Sequence, residues 1–195
     1  GFFMKNSDDS GYTGKHVGVC VLDTGIFPHI DFTGRILAFQ DFIGHRIRPY
    51  DDNSHGTHVC GIIGGDGRAS EGRIRGIAPG CSLIVLKVLD RTGNGRKEDV
   101  LQAFRWILEN KRYYGIRVVN ISVGTTCRRA EDHRVLIVGV EQLWDAGLVV
   151  VAAAGNRGTE GRKCDSTGKQ PKDYHSRLQR SAYRTDCHIR QGTYI

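Results

Sequence analysis

Short apolar runs rich in Val recur along the chain, and they constrain its fold more than any other feature. Four such runs occur, at residues 15–22, 82–89, 117–123 and 148–153. Nearly continuous apolar composition over a short run is typical of a strand that is buried on both faces of a parallel sheet. The four runs therefore predict a buried, mostly parallel sheet.

Amphipathic helices are predicted between these runs. Apolar residues recur at helical spacing in two stripes: Val100, Ala103, Phe104, Ile107 and Leu108, then Leu136, Val140, Leu143 and Trp144. Gly147 follows the second stripe, where a glycine ends a helix in a left-handed turn. Strands that alternate with helices through right-handed crossovers predict a doubly wound α/β fold with helices on both faces. Ligands of such sheets bind at the carboxyl ends of the strands, where Asp23 and residues 122–124 fall.

The pattern of strands and helices stops near Asn156. A chain of 195 residues favours one domain. Residues 157–195, however, show neither the strand period nor the helix period of apolar residues over a useful window. We therefore expect one partial domain over residues 1–156, incomplete on its C-terminal side. Residues 157–195 are expected to form an aberrant basic tail, either disordered or frameshifted.

Charge and composition exclude several classes of function. The net charge is +7, but more than half of this excess lies in residues 158–195 and no aromatic-interleaved basic motif accompanies it, so we expect no nucleic-acid partner. No apolar run approaches the roughly 18 residues that cross a bilayer, and residues 1–11 do not read as a signal peptide. Six cysteines without a C-x-x-C pair argue against a zinc ribbon or a dithiol motif. Localisation and oligomeric state stay open.

Three motifs carry residues suited to hydrolysis. The first run ends in V-L-D-T-G with Asp23, H-G-T-H-V-C-G begins at His55, and A-A-A-G-N ends at Asn156. A serine hydrolase needs a carboxylate to orient an imidazole, an imidazole to accept the hydroxyl proton, and donors for the oxyanion. D-T-G alone is a weak signal, since aspartic proteases also carry it, but the three motifs in this order are a specific combination.

With these motifs, the chain resembles the subtilisin family of serine endopeptidases, the subtilases, over about residues 14–156. The segment N-I-S-V-G and the run G-I-A-P-G-C-S-L-I-V-L-K-V-L match the family as well. The resemblance implies that Asp23 orients the imidazole, that His55 is the general base and that the Asn156 amide stabilises the oxyanion. It implies an extended peptide or protein substrate. The substrate-binding residues that it implies are Ser122, Val123 and Gly124 on one wall, and Ala153, Ala154 and Gly155 on the other.

The family's nucleophile motif, G-T-S-M-A, does not occur in the sequence. The serines after Asn156 are Ser166, Ser176 and Ser181, and their contexts lack the glycine turn and the apolar helix. Loss of a triad member typically costs orders of magnitude in rate, so we expect the chain as written to be nearly inactive.

A shifted reading frame is one explanation of the missing motif. Back-translation of residues 163–182, read one nucleotide later, permits a proline-glycine loop followed by I-T-V-G, which resembles what subtilases carry after the Asn motif. We therefore expect a frameshift, genuine or from sequencing, between about residues 156 and 163. The alternative is a basic tail that stays unfolded because it lacks apolar residues.

Other functions fit the sequence less well. A subtilase-fold module that binds peptides without cutting them is the main alternative. An aspartic protease built on D-T-G would need a second triplet or a symmetric dimer and would leave H-G-T-H unexplained, and a nucleotide-binding domain lacks G-x-G-x-x-G and any phosphate loop.

No cofactor is expected to be required. His55 and His58 lack a third metal ligand. The resemblance allows calcium, which the family binds in loops, but residues 65–76 do not clearly reproduce the usual binding loop.

Overall fold

The computed structural model describes residues 11–123 and 130–153, with side chains described for 11–123 and 134–153. Its strands are β1 (Gly18–Asp23), β2 (Ile36–Asp41), β3 (Ser82–Lys87), β4 (Ile116–Ile121) and β5 (Val149–Ala152). They form one sheet in the order β2-β3-β1-β4-β5, and every neighbouring pair is parallel. The predicted parallel α/β fold is confirmed.

Within the described residues, three α-helices lie between the strands: α1 (His55–Gly64), α2 (Lys97–Asn110) and α3 (Ala130–Asp145). Two short 3-10 helices lie at Ile30–Phe32 and Arg68–Ser70. The predicted stripes are buried at Val100, Ala103, Phe104 and Ile107 of α2 and at Leu136, Val140 and Leu143 of α3. Gly147 has a φ of +81°, so it ends α3 in the predicted left-handed turn.

The core has one apolar layer on each face of the sheet. Cys20 and Leu22 of β1 contribute to the layer beneath α2 and α3, whereas Val19 and Val21 face the layer that contains Cys60 of α1. Strand β1 is therefore buried on both faces, because it lies in the middle of the sheet.

Two strands differ from the sequence prediction. Strand β2 is not predicted, because its apolar run I-L-A-F is short and lacks Val, and only Asp41 in the strand is fully buried. The run at residues 148–153 was expected to be buried on both faces, but Val149 is 52% and Val151 49% exposed. Val149 and Val151 are two residues apart and therefore share one face of the sheet, on β5 at the end of the strand order.

The carboxyl ends of the strands meet at one edge of the sheet. Asp23 of β1 and Asp41 of β2 are both in register with Lys87 of β3, and Ser122 follows β4 directly. All four residues therefore lie at the edge where ligands of parallel sheets bind.

Within the described residues, no helix is long and apolar enough to cross a membrane.

Candidate active site

Asp23 and His55, which are far apart in sequence, form a hydrogen-bonded pair. Asp23 is the last residue of β1 and is fully buried, and His55 is the first residue of α1 with a side chain 53% exposed. The Nδ1 atom of His55 lies 2.8 Å from Oδ1 of Asp23. Because Nδ1 is engaged by the carboxylate, Nε2 is the ring nitrogen left for a reacting group. The pairing expected from the sequence is therefore present.

Among the described residues, only one of the two oxygens of the Asp23 carboxylate accepts hydrogen bonds. The backbone N–H of Thr24 donates to Oδ1 at 2.7 Å, so this oxygen accepts hydrogen bonds from both the backbone and the imidazole. The other oxygen, Oδ2, is buried without a hydrogen-bond partner among the described residues. A buried acceptor without a partner costs free energy, and such groups in native proteins call for a functional explanation.

Asp51 anchors the start of α1 next to Thr24. One carboxylate oxygen of Asp51 accepts the Thr24 hydroxyl at 2.9 Å and the backbone N–H groups of Asn53 and Ser54 at 3.1 and 3.0 Å. The other accepts the backbone N–H and the hydroxyl of Thr57 at 2.9 and 2.6 Å. A carboxylate at a helix N-terminus satisfies free N–H groups and is favoured by the helix dipole. Asp51 therefore connects the residue after Asp23 to the helix that carries His55.

Two glycines permit the close approach of the segments that follow Asp23 and His55. A Cβ atom at Gly56 would lie 2.2 Å from the carbonyl oxygen of Gly25 and 3.2 Å from Cβ of Asp23. Gly25 has a φ of +124°, a conformation that side chains with a Cβ rarely adopt. The backbone N–H of Gly56 also donates to the Thr24 hydroxyl at 2.9 Å. The H-G-T-H motif therefore needs its glycine for packing against D-T-G.

We expect Asp51 to make the free energy of unfolding sensitive to acid. Partial burial alone would raise its pKa, but hydrogen bonds from Thr57, Asn53 and Ser54 outweigh burial and hold the pKa below its usual range. A depressed pKa stabilises the fold above the unfolded value of about 3.9, and this stabilisation is lost as the pH falls through the folded value. Urea denaturation at a series of pH values should show a smaller loss of stability below about pH 4 in Asp51→Asn.

The matched control for this titration is Asp145→Asn, because Asp145 is exposed at the end of α3. This variant should lose stability in acid as the native protein does. An Asp51→Asn curve that is parallel to the native curve between pH 6 and pH 2 would contradict the role of Asp51.

The three described cysteines are unsuited to nucleophilic attack. Cys20, Cys60 and Cys81 are free and fully buried. Burial raises the pKa of all three thiols, and the negative charge of Asp23 raises that of Cys60 further. A thiol must ionise to act as a nucleophile. Cys60 therefore packs as an apolar residue beneath the site, although it lies on the same helix as His55.

The structure describes part of the substrate-binding set. The backbone N–H of Ser122 donates to the Leu22 carbonyl at 3.3 Å, which places Ser122 beside the strand end that carries Asp23. The N–H of Ala153 donates to the Ile121 carbonyl at 3.1 Å, so Ala153 lies next to the end of β4, where Val123 also follows. Gly124, Ala154, Gly155 and Asn156 lie outside the described residues, as do Ser166, Ser176 and Ser181.

In the described part of the chain, no group of three or more His, Cys, Asp or Glu residues is placed to hold a metal ion. Asp66, the first acid of the loop at residues 65–76, instead pairs with Arg68 at 3.0 Å and with Arg35 at 3.8 Å.

Sequence reasoning missed three residues that shape the site: Thr24, Asp51 and Lys87. The available signal for Lys87 was a lysine inside the apolar run S-L-I-V-L-K-V-L, where a charge is costly. Thr24 is part of the D-T-G motif, but nothing in the sequence indicated its contact with Asp51, because a hydroxyl and an acid in turns are ordinary surface residues.

Comparison with known proteins gives one consistent family. A model of the Subtilase family matches residues 14–189, a range that continues past Asn156. Serine protease AprX of Bacillus subtilis (strain 168) is 40% identical over 165 residues, which are 82% of this chain and 37% of that protein. Subtilisin E of the same strain is 36% identical over 170 residues, 86% of this chain and 41% of that protein. The chain thus spans well under half the length of these relatives.

A solved structure shows the same fold. The crystal structure of a cold-adapted subtilisin-like serine proteinase superposes with a TM-score of 0.62 at 29% identity, over 74% of this chain and 48% of that one.

Proposed function

Because the chain belongs to the subtilase family, we propose that it carries the acid–base part of a serine endopeptidase, which hydrolyses peptide bonds through an acyl-enzyme. The observation that carries this proposal is the 2.8 Å contact between a fully buried carboxylate and a half-exposed imidazole at the carboxyl edge of the sheet. That geometry matches what proton transfer from a serine hydroxyl requires.

Each site residue has a role in this proposal. His55 accepts the hydroxyl proton at Nε2 and later returns it to the leaving amine. The Asp23 carboxylate accepts a hydrogen bond from the Nδ1–H of His55, which fixes the tautomer and stabilises the imidazolium that forms. The side-chain amide of Asn156 donates a hydrogen bond to the oxyanion of the tetrahedral intermediate. No step needs a metal ion or a cofactor, and calcium would at most be structural.

The proposed substrate is an extended peptide or protein segment. It would add a strand beside Ser122, Val123 and Gly124, with Ala153, Ala154 and Gly155 on the other wall of the pocket for the side chain before the scissile bond. The described part of this cleft supports the proposal, because Ser122 and Val123 lie at the carboxyl edge of the sheet and are incompletely buried. We propose no nucleic-acid partner.

The nucleophile is the part of the triad that these 195 residues do not carry in the family's motif. We propose that the chain as written does not turn over substrate, and that its reading frame shifts between about residues 156 and 163. Sequencing the coding DNA tests the shift. Stop codons in the alternative frame before any G-T-S-M-A-like segment would rule it out.

The enzyme function is tested with a fluorophosphonate probe, which labels activated serines. We expect the chain as written to remain unlabelled and to leave a peptide substrate intact. The protein expressed with its frame restored after Asn156, hereafter the frame-restored protease, should be labelled and should cleave the substrate. His55→Ala in the frame-restored protease should abolish both signals.

The second candidate function is a peptide-binding module without catalysis, which the absent G-T-S-M-A motif favours. It predicts that the frame-restored protein binds peptides, measured by calorimetry, but is neither labelled nor hydrolytic. That result would refute the protease proposal and support the binding module.

A further inference from the structure

Lys87 is a buried cation at the edge of the sheet that carries the Asp23–His55 pair. It is the last residue of β3, only 1% exposed, and in register with Asp23 on the neighbouring strand. Lysine is almost never fully buried without partners, because its charge loses hydration. Such a residue close to a catalytic centre needs an explanation that the hydrolytic chemistry alone does not give.

The ammonium group of Lys87 has one acceptor for each of its three protons. Its Nζ atom lies 2.5 Å from the Thr24 carbonyl oxygen, 2.7 Å from Oδ1 of Asp52 and 2.9 Å from the Leu89 carbonyl oxygen. The Tyr50 ring centroid is 5.0 Å away, within the range of a cation–π contact. A tripod of acceptors fits an ammonium and fits poorly the planar donor fork of an arginine.

These acceptors belong to the segments that place the two members of the pair. Thr24 directly follows Asp23, and its N–H donates to the Asp23 carboxylate. Asp52 lies three residues before His55, in the turn that begins α1. One buried ammonium group therefore bonds to both the segment of the acid and the segment of the imidazole, in addition to the links that Asp51 and Gly56 make with Thr24.

The sheet itself does not need this tripod. Strands β1 and β3 are paired in register along their whole length, from Gly18 to Asp23, and the N–H groups of Val88 and Leu89 donate to the Asp23 carbonyl. The bonds of Lys87 reach beyond the strand ends, into two turns that the Gly25–Asp51 bridge and the hydrogen bond from Thr24 to Asp51 also join. What Lys87 adds is a buried link between these turns and the end of β3.

We propose that Lys87 is a positioning residue for the Asp23–His55 pair. It contacts neither a substrate nor a reacting atom, and it acts through Thr24 and Asp52. The inference rests on the proposed function, since only in a hydrolase does the pair transfer a proton. It goes beyond that function because it assigns the geometry of the pair to a residue outside the triad.

The test observes the pair directly, in the 195-residue chain, by proton NMR of the His55 Nδ1–H resonance. A proton shared with a buried carboxylate gives a signal far downfield of ordinary ring protons. We expect this signal in the native chain and its loss in Lys87→Met, which keeps the length of the side chain and removes all three donors. The amide spectrum of the sheet residues should stay native. A folded Lys87→Met with an unchanged resonance would overturn the proposal.

A second variant covers the case in which Lys87→Met does not fold. Asp52→Ala removes one leg of the tripod at a side chain that is 42% exposed. We expect exchange of the His55 Nδ1 proton with water to become at least about threefold faster in Asp52→Ala, because the turn before α1 is less constrained. An unchanged exchange rate would refute the proposal without any need for Lys87→Met.

Lys111→Met is the matched control. The Lys111 ammonium also donates a hydrogen bond to a backbone carbonyl, that of Ala146. Lys111 directly follows α2 and does not lie at the carboxyl edge of the sheet. The His55 Nδ1–H resonance of Lys111→Met should equal the native one. Loss of the resonance in Lys111→Met as well as in Lys87→Met would show a general effect of removing a lysine. Absence of the resonance from the native chain would instead count against the proposed function, so the two failures are distinguishable.

Discussion

Alanine in place of Gly56 is expected to destabilise the protein by about 3 kcal/mol and to separate His55 from Asp23. The added Cβ would lie 2.2 Å from the Gly25 carbonyl oxygen, and no side-chain rotation can relieve this contact, because the backbone fixes the position of the Cβ and the carbonyl is itself backbone. Overpacking of this kind typically costs about 1–3 kcal/mol, and the upper end applies where the contact is with main chain. Urea denaturation measures the free energy of unfolding, and the His55 Nδ1–H resonance reports the pair.

Gly61 provides the control on the same helix. A Cβ at Gly61 would meet nothing within 4 Å, so Gly61→Ala only improves the helix propensity of α1. We expect Gly61→Ala to stabilise the protein by about 0.5–1 kcal/mol and to leave the His55 resonance unchanged. The packing argument fails if the two variants have equal unfolding free energies, because they differ only in what the new methyl group meets.

The interior of the sheet was predictable from sequence because burial on both faces leaves a direct trace in composition. Strands β1 and β3 and the apolar stripe of α2 were found in this way. Strand β2 left no such trace, since it is mostly half-buried and mixes polar with apolar residues. The exposure of β5 was missed for the opposite reason, because an apolar run does not reveal whether another element packs on each of its faces.

Site residues that belong to a recognisable motif could be predicted from the sequence. Residues that act through a contact between distant segments could not. Asp23 and His55 could be paired because their motifs, D-T-G and H-G-T-H, follow each other in the order that the subtilase family has. The links from Lys87 and Asp51 to Thr24 depend on the paths of turns, which no periodicity encodes. Gly56 lies between these cases, because its place in the motif was visible in the sequence but the lack of room for a Cβ atom beside the Gly25 carbonyl was not.

Asparagine in place of Asp23 is expected to lower kcat of the frame-restored protease by about 10⁴-fold, with little change in KM. In one orientation, the amide oxygen replaces Oδ1 and still accepts from Thr24 and His55, but the charge that stabilises the imidazolium is gone. In the other orientation, the amide NH₂ faces two N–H donors, so His55 must adopt the wrong tautomer. Either orientation impairs proton transfer, and steady-state hydrolysis of a peptide substrate measures the loss.

The thermal stability of Asp23→Asn separates this chemical effect from unfolding. The native carboxylate is fully buried and leaves Oδ2 without a partner among the described residues, so removing its charge removes a desolvation cost. We therefore expect a melting temperature equal to the native one or higher, together with the loss of kcat. Asp145→Asn, at an exposed position on α3, should change neither quantity. If kcat of Asp23→Asn stayed within tenfold of the native value, Asp23 would not be the residue that orients and charges the imidazole, and the acid–base assignment would have to be abandoned.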